Sequence, residues 1–279
     1  MMLKTVGLFV SLCCVPFIAC SLQRAASALP NVVILTPPLT MPDLDRQRTI
    51  RLYLPPSYGN SDMRYPVLYM HDGQNLFDAA TSNAGEWGVD ESLNQLAQSR
   101  KLELIVVGID HGAERRIAEL SPWDHPKHGK AEGRAYMEFV VKVVKPYIDS
   151  HYRTLADRTN TAIMGSSLGA LISHYAIYQY PDIFSKAGLF SPAYWFSGEV
   201  YALTAEHVLP SDTKIFFAVG NREGRETVDN VNRMVALVIQ KSTAKEQIFL
   251  KIVPDAEHNE AAWRAQFPQA VEWLFAVGK

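Results

Sequence analysis

Thr161-Ala-Ile-Met-Gly165-Ser166-Ser167-Leu168-Gly169-Ala170 decides the reading of this chain of 279 residues. It begins as an apolar run over Thr161–Met164 and leads into an apolar segment, 168–180, that Pro181 stops. A Gly-x-Ser-x-Gly sequence between a strand and a helix holds its central residue on a tight, strained turn. The hydroxyl of Ser167 should then point out of the sheet edge. The glycines two before and two after it remove side chains that would collide with neighbouring backbone. The helix that starts at once aims its N–H groups and positive dipole end at developing negative charge, so the N–H of Leu168 is a candidate oxyanion donor. A chance Gly-Ser-Ser-Leu-Gly loop is the competing reading, and the strand-to-helix setting argues against it. Ser166 sits off-centre and is assigned to local hydrogen bonding.

Outward from this turn, strands and helices alternate. Strands are expected over 32–35, 49–54, 67–70, 104–109, 161–164, 187–190, 214–219 and 248–253. Solid apolar runs such as Leu104-Ile-Val-Val and Ile215-Phe-Phe-Ala-Val suit strands covered on both faces. Residues 49–54 instead alternate, with Ile50, Leu52 and Leu54 on one side, as in an antiparallel strand with one wet face. Residues 134–150 carry an apolar stripe from Tyr136 to Ile148 at helical spacing, with a kink or early end expected at Pro146. Further helices are expected over 168–180, 227–241 and 261–277. The pattern predicts an α/β fold: a mostly parallel central sheet of about eight strands with helices on both faces, in one domain over residues 29–279. Residues 111–133, rich in Pro, Gly, His and charge, form a long excursion of the functional or mobile kind.

Composition excludes other classes. Hydrophobic residues make up 48% and charged residues 20%, so a large core is affordable and disorder is not expected. Lys and Arg total 27 against 29 Asp and Glu, which leaves no nucleic-acid footprint. Residues 1–28 read as an export signal, with Lys4 before a short apolar region interrupted by Pro16. Ala26-Ser27-Ala28 offers a small-x-small cleavage site. Alternatively, Phe17-Ile18-Ala19-Cys20 resembles a lipobox, with 1–19 as a lipoprotein signal and Cys20 as a lipid anchor. The apolar run is too short to span a bilayer, and no membrane span is expected in the mature chain. A periplasmic or secreted location follows, or an outer-membrane lipoprotein if Cys20 is lipidated. The three cysteines are Cys13, Cys14 and Cys20, so no disulfide framework is available to the body of the protein.

A nucleophile on this kind of turn needs a base and an acid, in the chain order Ser, acid, His. His258, in Pro254-Asp-Ala-Glu-His258-Asn-Glu after the last strand, satisfies that order. His207 precedes every acid after the 214–219 strand, and His174 fits a packed role in the helix after Ser167. Glu223, just past that strand, is the preferred acid, with Glu226 and Asp229 as alternatives. It would fix the imidazole tautomer and stabilise the imidazolium. The strand 67–70 leads into His71-Asp72-Gly73-Gln74-Asn75, where the N–H of Gln74 is the second candidate oxyanion donor. His71 and Asp72 have no nearby ligand partner of metal-site spacing, and neither a metal nor another cofactor is expected.

Five stretches carry a resemblance: Tyr69-Met-His-Asp-Gly-Gln-Asn-Leu-Phe-Asp78, Arg116-Ile-Ala-Glu119-Leu-Ser-Pro122-Trp, Gly165-Ser-Ser-Leu-Gly, Ser191-Pro-Ala-Tyr-Trp195 and Glu257-His258-Asn-Glu-Ala-Ala-Trp263. Together they resemble the putative-esterase family of α/β-hydrolases, which includes siderophore trilactone, feruloyl and acetyl-xylan esterases and S-formylglutathione hydrolases. The resemblance spans about residues 30–278. It implies an α/β-hydrolase fold and hydrolysis of a small-molecule carboxyl ester, and it supports Ser167, Glu223 and His258 by position. The acid is often Asp in relatives. Arg116 reads as a structural partner of Glu119 or as a ligand for an anionic or aromatic substrate, the pair being preferred. Trp195 and Trp87 read as cleft aromatics or as core. The alternatives to ester hydrolysis are thioesterase or acyltransferase chemistry on the same machinery, or a surface-binding protein on an inactive scaffold.

Overall fold

The computed structural model describes residues 24–276. The expected signal core, the lipobox and Cys20 lie outside the described residues. Among the described residues ten strands form: β1 (Val32–Ile34), β2 (Leu39–Met41), β3 (Arg46–Arg48), β4 (Ile50–Tyr53), β5 (Val67–His71), β6 (Ile105–Ile109), β7 (Thr161–Ser166), β8 (Lys186–Phe190), β9 (Lys214–Gly220) and β10 (Ile248–Val253). Eight of them make one sheet in the order β1-β4-β6-β5-β7-β8-β9-β10, and β2 and β3 pair separately. The β1–β4 and β4–β6 pairs are antiparallel; from β6 to β10 every neighbour is parallel. All eight strands expected from sequence are these eight.

The α-helices among the described residues are α1 (Val89–Arg100), α2 (Arg116–Glu119), α3 (Gly133–Phe139), α4 (Lys145–His151), α5 (Leu168–Gln179), α6 (Glu199–Glu206), α7 (Arg225–Lys241) and α8 (Glu260–Phe275). One core lies under α3 to α7 and is filled by residues such as Phe139, Ile172, Phe217 and Met234. The other lies under α1 and α8, with Leu93, Phe216, Phe267 and Leu274. Burial on both faces explains why β5, β6 and β7 are continuous apolar runs.

Two local expectations are corrected. Residues 49–54 were expected to have a wet face, but all of β4 is buried. Arg51 on that face is neutralised by Asp110, which accepts from Nε at 2.8 Å and from Nη2 at 3.0 Å. The helix through Pro146 does not end there. It passes from α3 to α4 through a π-helical turn, Val140–Val144, just before the proline. Proline lacks an N–H and its ring crowds the carbonyl four residues back, and a widened turn relieves both problems. Helices α1, α2 and α6 were not expected; α1 is largely polar and shows too weak an apolar stripe to stand out in sequence.

Candidate active site

β7 ends at Ser166 and α5 begins at Leu168, with Ser167 between them at φ 56°, ψ −118°. The surrounding backbone holds it there. Ser167 N–H donates to the carbonyl of Phe190 at 2.9 Å, and its own carbonyl accepts from Leu171 N–H at 3.0 Å and Ala193 N–H at 3.1 Å. The requirement for glycine at 165 is steric: a Cβ there would lie 2.6 Å from the carbonyl carbon of Gly169.

Glu223 and His258 come from the turns after β9 and β10, and those turns are stitched together. Asn221 N–H donates to Val253 O at 3.0 Å, Arg222 N–H to Ala256 O at 3.0 Å, and Asp255 N–H to the side-chain oxygen of Asn221 at 2.8 Å. Gly220 permits this approach, because a Cβ there would lie 2.2 Å from Ala256 O. The Glu223 carboxylate is almost fully buried and has three donors. Ser191 Oγ donates to Oε1 at 2.6 Å, Gly220 N–H to Oε1 at 2.7 Å, and His258 Nδ1 to Oε2 at 2.8 Å. An ionised carboxylate only accepts, so Nδ1 carries the proton and Nε2 is left as the basic nitrogen. The His258 ring meets Trp263 edge-on at 5.1 Å, and the Trp263 indole N–H donates to Ser191 Oγ at 2.8 Å.

Ser167 and His258 line one cavity of about 370 Å³, together with Ser166, Trp87 and Trp263. No hydrogen bond joins the Ser167 hydroxyl to the imidazole among the described residues. Catalytic hydrogen bonds of this kind are often open before substrate arrives. Most of the remaining wall is polar: His71, Asp72, Asn75, Asn83, His111, Arg116 and Glu260.

Arg116 does not pair with Glu119. It clamps Asp72, donating from Nε to Oδ1 at 2.6 Å and from Nη2 to Oδ2 at 2.9 Å. Glu119 instead accepts from Arg46 at 2.9 Å and Arg48 at 2.7 Å. The four-residue helix α2 sends the two side chains to different partners, which spacing alone could not reveal. Burial pushes the Asp72 carboxyl up, but the Arg116 guanidinium outweighs it and holds the pKa below the usual value. Burial pushes His71 down to about 4, so it is neutral; its Nδ1 meets the Tyr136 hydroxyl at 2.7 Å. Burial also lowers the His111 pKa, and it raises that of Glu260, where the charge of Asp72 adds to the rise.

The other expected residues divide. Trp87 is buried and lines the cavity. Trp195 does not: it is 55% exposed and packs beside His128 and Phe196. The chain turns after β8, so Ala193 approaches Ser167 while the Trp195 side chain points to solvent. Leu168 opens α5, where the first N–H groups have no partner within the helix. Gln74 lies in the turn Gly73–Asn75 between two lining residues but does not line the cavity; its side-chain oxygen accepts from His111 N–H at 3.1 Å. His174 is a packed core residue, between Tyr194 Oη at 2.7 Å and Thr204 Oγ1 at 2.9 Å. Of the alternative acids, Asp229 pairs with Arg225 on the surface of α7. Sequence reasoning missed Ser191, Asp72 and Glu260 as parts of the site. For Ser191 and Asp72 the signal was a place just after a strand, and for Glu260 a place at the start of the helix two residues beyond His258. Three carboxylates, Glu86, Asp90 and Glu91, come within 4.8 Å of one another away from the cavity wall, with Arg264 beside two of them.

Residues 42–274 match the family described as putative esterase. The chain is 29% identical over 246 residues to the uncharacterized protein YbbA of Bacillus subtilis, covering 83% of this chain and 94% of that protein. Among solved structures it superimposes on the enterobactin esterase FES of Shigella flexneri with a TM-score of 0.70 at 20% identity, covering 91% of this chain and 59% of that one. An IroE-like serine hydrolase from Shewanella oneidensis gives a TM-score of 0.69 at 18% identity, covering 88% of this chain and 81% of that one. The fold is that of the α/β-hydrolases expected from sequence, and with most of its length matched the chain belongs to the putative-esterase family.

Proposed function

We propose that the protein is a serine carboxyl-ester hydrolase in which Ser167, His258 and Glu223 act as nucleophile, general base and orienting acid. The observation that carries this reading is the Glu223–His258 hydrogen bond of 2.8 Å, set at the cavity into which the strained Ser167 turn opens. His258 Nε2 takes the Ser167 proton as Oγ attacks the ester carbonyl. Glu223 remains ionised and stabilises the imidazolium. The N–H of Leu168 and a second donor from the turn after β5, with Gln74 the candidate, hold the oxyanion. His258 then protonates the leaving alcohol. Water, activated by the same imidazole, hydrolyses the acyl-enzyme to a carboxylic acid and restores the Ser167 hydroxyl.

The cavity volume suits a small ester group. The enterobactin esterase among the structural neighbours makes catechol-bearing trilactones a substrate class to assay. The test is covalent labelling with a fluorophosphonate alongside turnover of p-nitrophenyl acetate. The expected result is labelling at Ser167, and loss of both signals in Ser167→Ala. Undiminished turnover by Ser167→Ala would overturn the reading.

A further inference from the structure

Glu260 opens α8 two residues after His258, and its side chain lines the same cavity as Ser167. The residue is 8% exposed, and its carboxylate, which its own backbone N–H faces as a donor, makes no hydrogen bond to another residue among the described ones. The side chain borders the cavity, so a donor on a bound molecule can fill the acceptor capacity that no neighbouring residue takes up.

The charged groups facing it do not fill that capacity. Arg116 contributes to the field at Glu260, but both arms of its guanidinium are engaged by Asp72. Asp72 adds a like charge. His258 directs Nδ1 at Glu223, and its other nitrogen is the base of the proposed reaction. His71 and His111 are both shifted by burial toward their neutral forms. One guanidinium against two carboxylates leaves the cavity wall with one negative charge and an unused acceptor close to the reacting centre.

We propose that Glu260 is a substrate-recognition residue that accepts a hydrogen bond from a hydroxyl or ammonium group on the acyl part of the ester. The site then takes hydroxylated or aminated acyl groups and rejects those that carry a free carboxylate. A carboxylate on the substrate would face Glu260 across the cavity, where like charges repel. A hydroxyl or ammonium donor would complete the coordination that the fold leaves open. The inference rests on the proposed hydrolase reading and extends it to the acyl group selected.

The test compares kcat/KM for four esters: p-nitrophenyl butanoate, its isostere p-nitrophenyl 3-hydroxypropanoate, p-nitrophenyl 4-aminobutanoate and p-nitrophenyl hemisuccinate. The wild-type chain is expected to prefer the hydroxyl ester over the butanoate by about ten-fold, as a hydrogen bond to a charged group allows. It should also prefer the ammonium ester over the hemisuccinate by more than that. In Glu260→Gln, which keeps the size and one acceptor, the preference for the ammonium ester over the hemisuccinate should collapse at least ten-fold. Part of the hydroxyl preference should survive. Wild-type ratios near one, or the same ratios in Glu260→Gln, would overturn the proposal. Ser167→Ala separates the two claims. If it is inactive on the butanoate ester while the ratios show no preference, only the role of Glu260 fails; if it stays active, the hydrolase reading fails.

Discussion

The Ser191 hydroxyl donates to Oε1 of Glu223 at 2.6 Å while it accepts the Trp263 indole N–H at 2.8 Å. The acid is thus held from behind by a serine and a tryptophan, while its other oxygen holds the imidazole. Ser191→Ala removes one donor from a buried carboxylate and orphans the indole N–H. We expect kcat/KM to fall about ten- to hundred-fold, the worth of a hydrogen bond to a charged group. Unchanged kcat/KM in Ser191→Ala would remove Ser191 from the positioning set.

The Asp72–Arg116 pair is largely buried on the carboxylate side. Arg116→Ala leaves Asp72 charged and alone, which typically costs about 3–5 kcal/mol. The double substitution Asp72→Asn with Arg116→Met should recover much of that loss in urea denaturation, since no charge is then stranded. Additive losses in the double variant would count against a coupled pair.

Two buried histidines and one buried acid pull stability in opposite directions with pH. Burial lowers His71 to about 4 and His174 to about 3, below the ordinary 6.5. As the pH falls through 6.5 the unfolded chain takes up protons that the native chain refuses, so stability drops. His174 alone should cost about 2 kcal/mol between pH 7 and pH 5. Burial raises Asp90 to about 7 from an ordinary 3.8. Its contribution is therefore full below pH 3.8 and is lost as the pH rises through 7. His174→Gln should flatten the acid loss, and Asp90→Asn should make it steeper. Denaturation midpoints at pH 5, 7 and 8 read both; parallel curves for all three proteins would contradict the assignment.

Ser27 bears on where an exported form would begin. Its N–H donates to Asp78 at 3.0 Å, its hydroxyl donates to Glu86 at 2.9 Å, and Ala79 N–H donates back to that hydroxyl at 2.7 Å. Cleavage after Ala28 would discard all three contacts. A chain beginning at Leu29 is expected to be less stable than one beginning at Ser21 by about 1–3 kcal/mol. Equal melting temperatures would show that the segment contributes nothing.

The sheet was legible because its strands are buried on both faces and so read as solid apolar runs, as in Ile215-Phe-Phe-Ala-Val. The strained turn at Ser167 was legible because steric demands at 165 and 167 leave few residue choices. The Glu223–His258 hydrogen bond could be anticipated from chain order, since the two residues lie in the turns after the neighbouring parallel strands β9 and β10. What escaped was partner choice among side chains far apart in sequence. Arg116 reaches back 44 residues to Asp72 rather than three forward to Glu119, and Ser191 meets Glu223 across 32 residues. Nothing local encodes such pairings. Trp195 was misplaced for a related reason: position in a loop says little about which way a side chain turns.

At position 167 the backbone occupies a region where glycine alone is comfortable, and a serine stands there. Such a conformation costs on the order of 1–3 kcal/mol for a residue with a Cβ. Ser167→Gly should accordingly melt later than the parent while losing its chemistry. At this one locus, mutation toward a sturdier chain and mutation away from a working one are the same change, so durability screens carried out without an activity readout would enrich for inert variants.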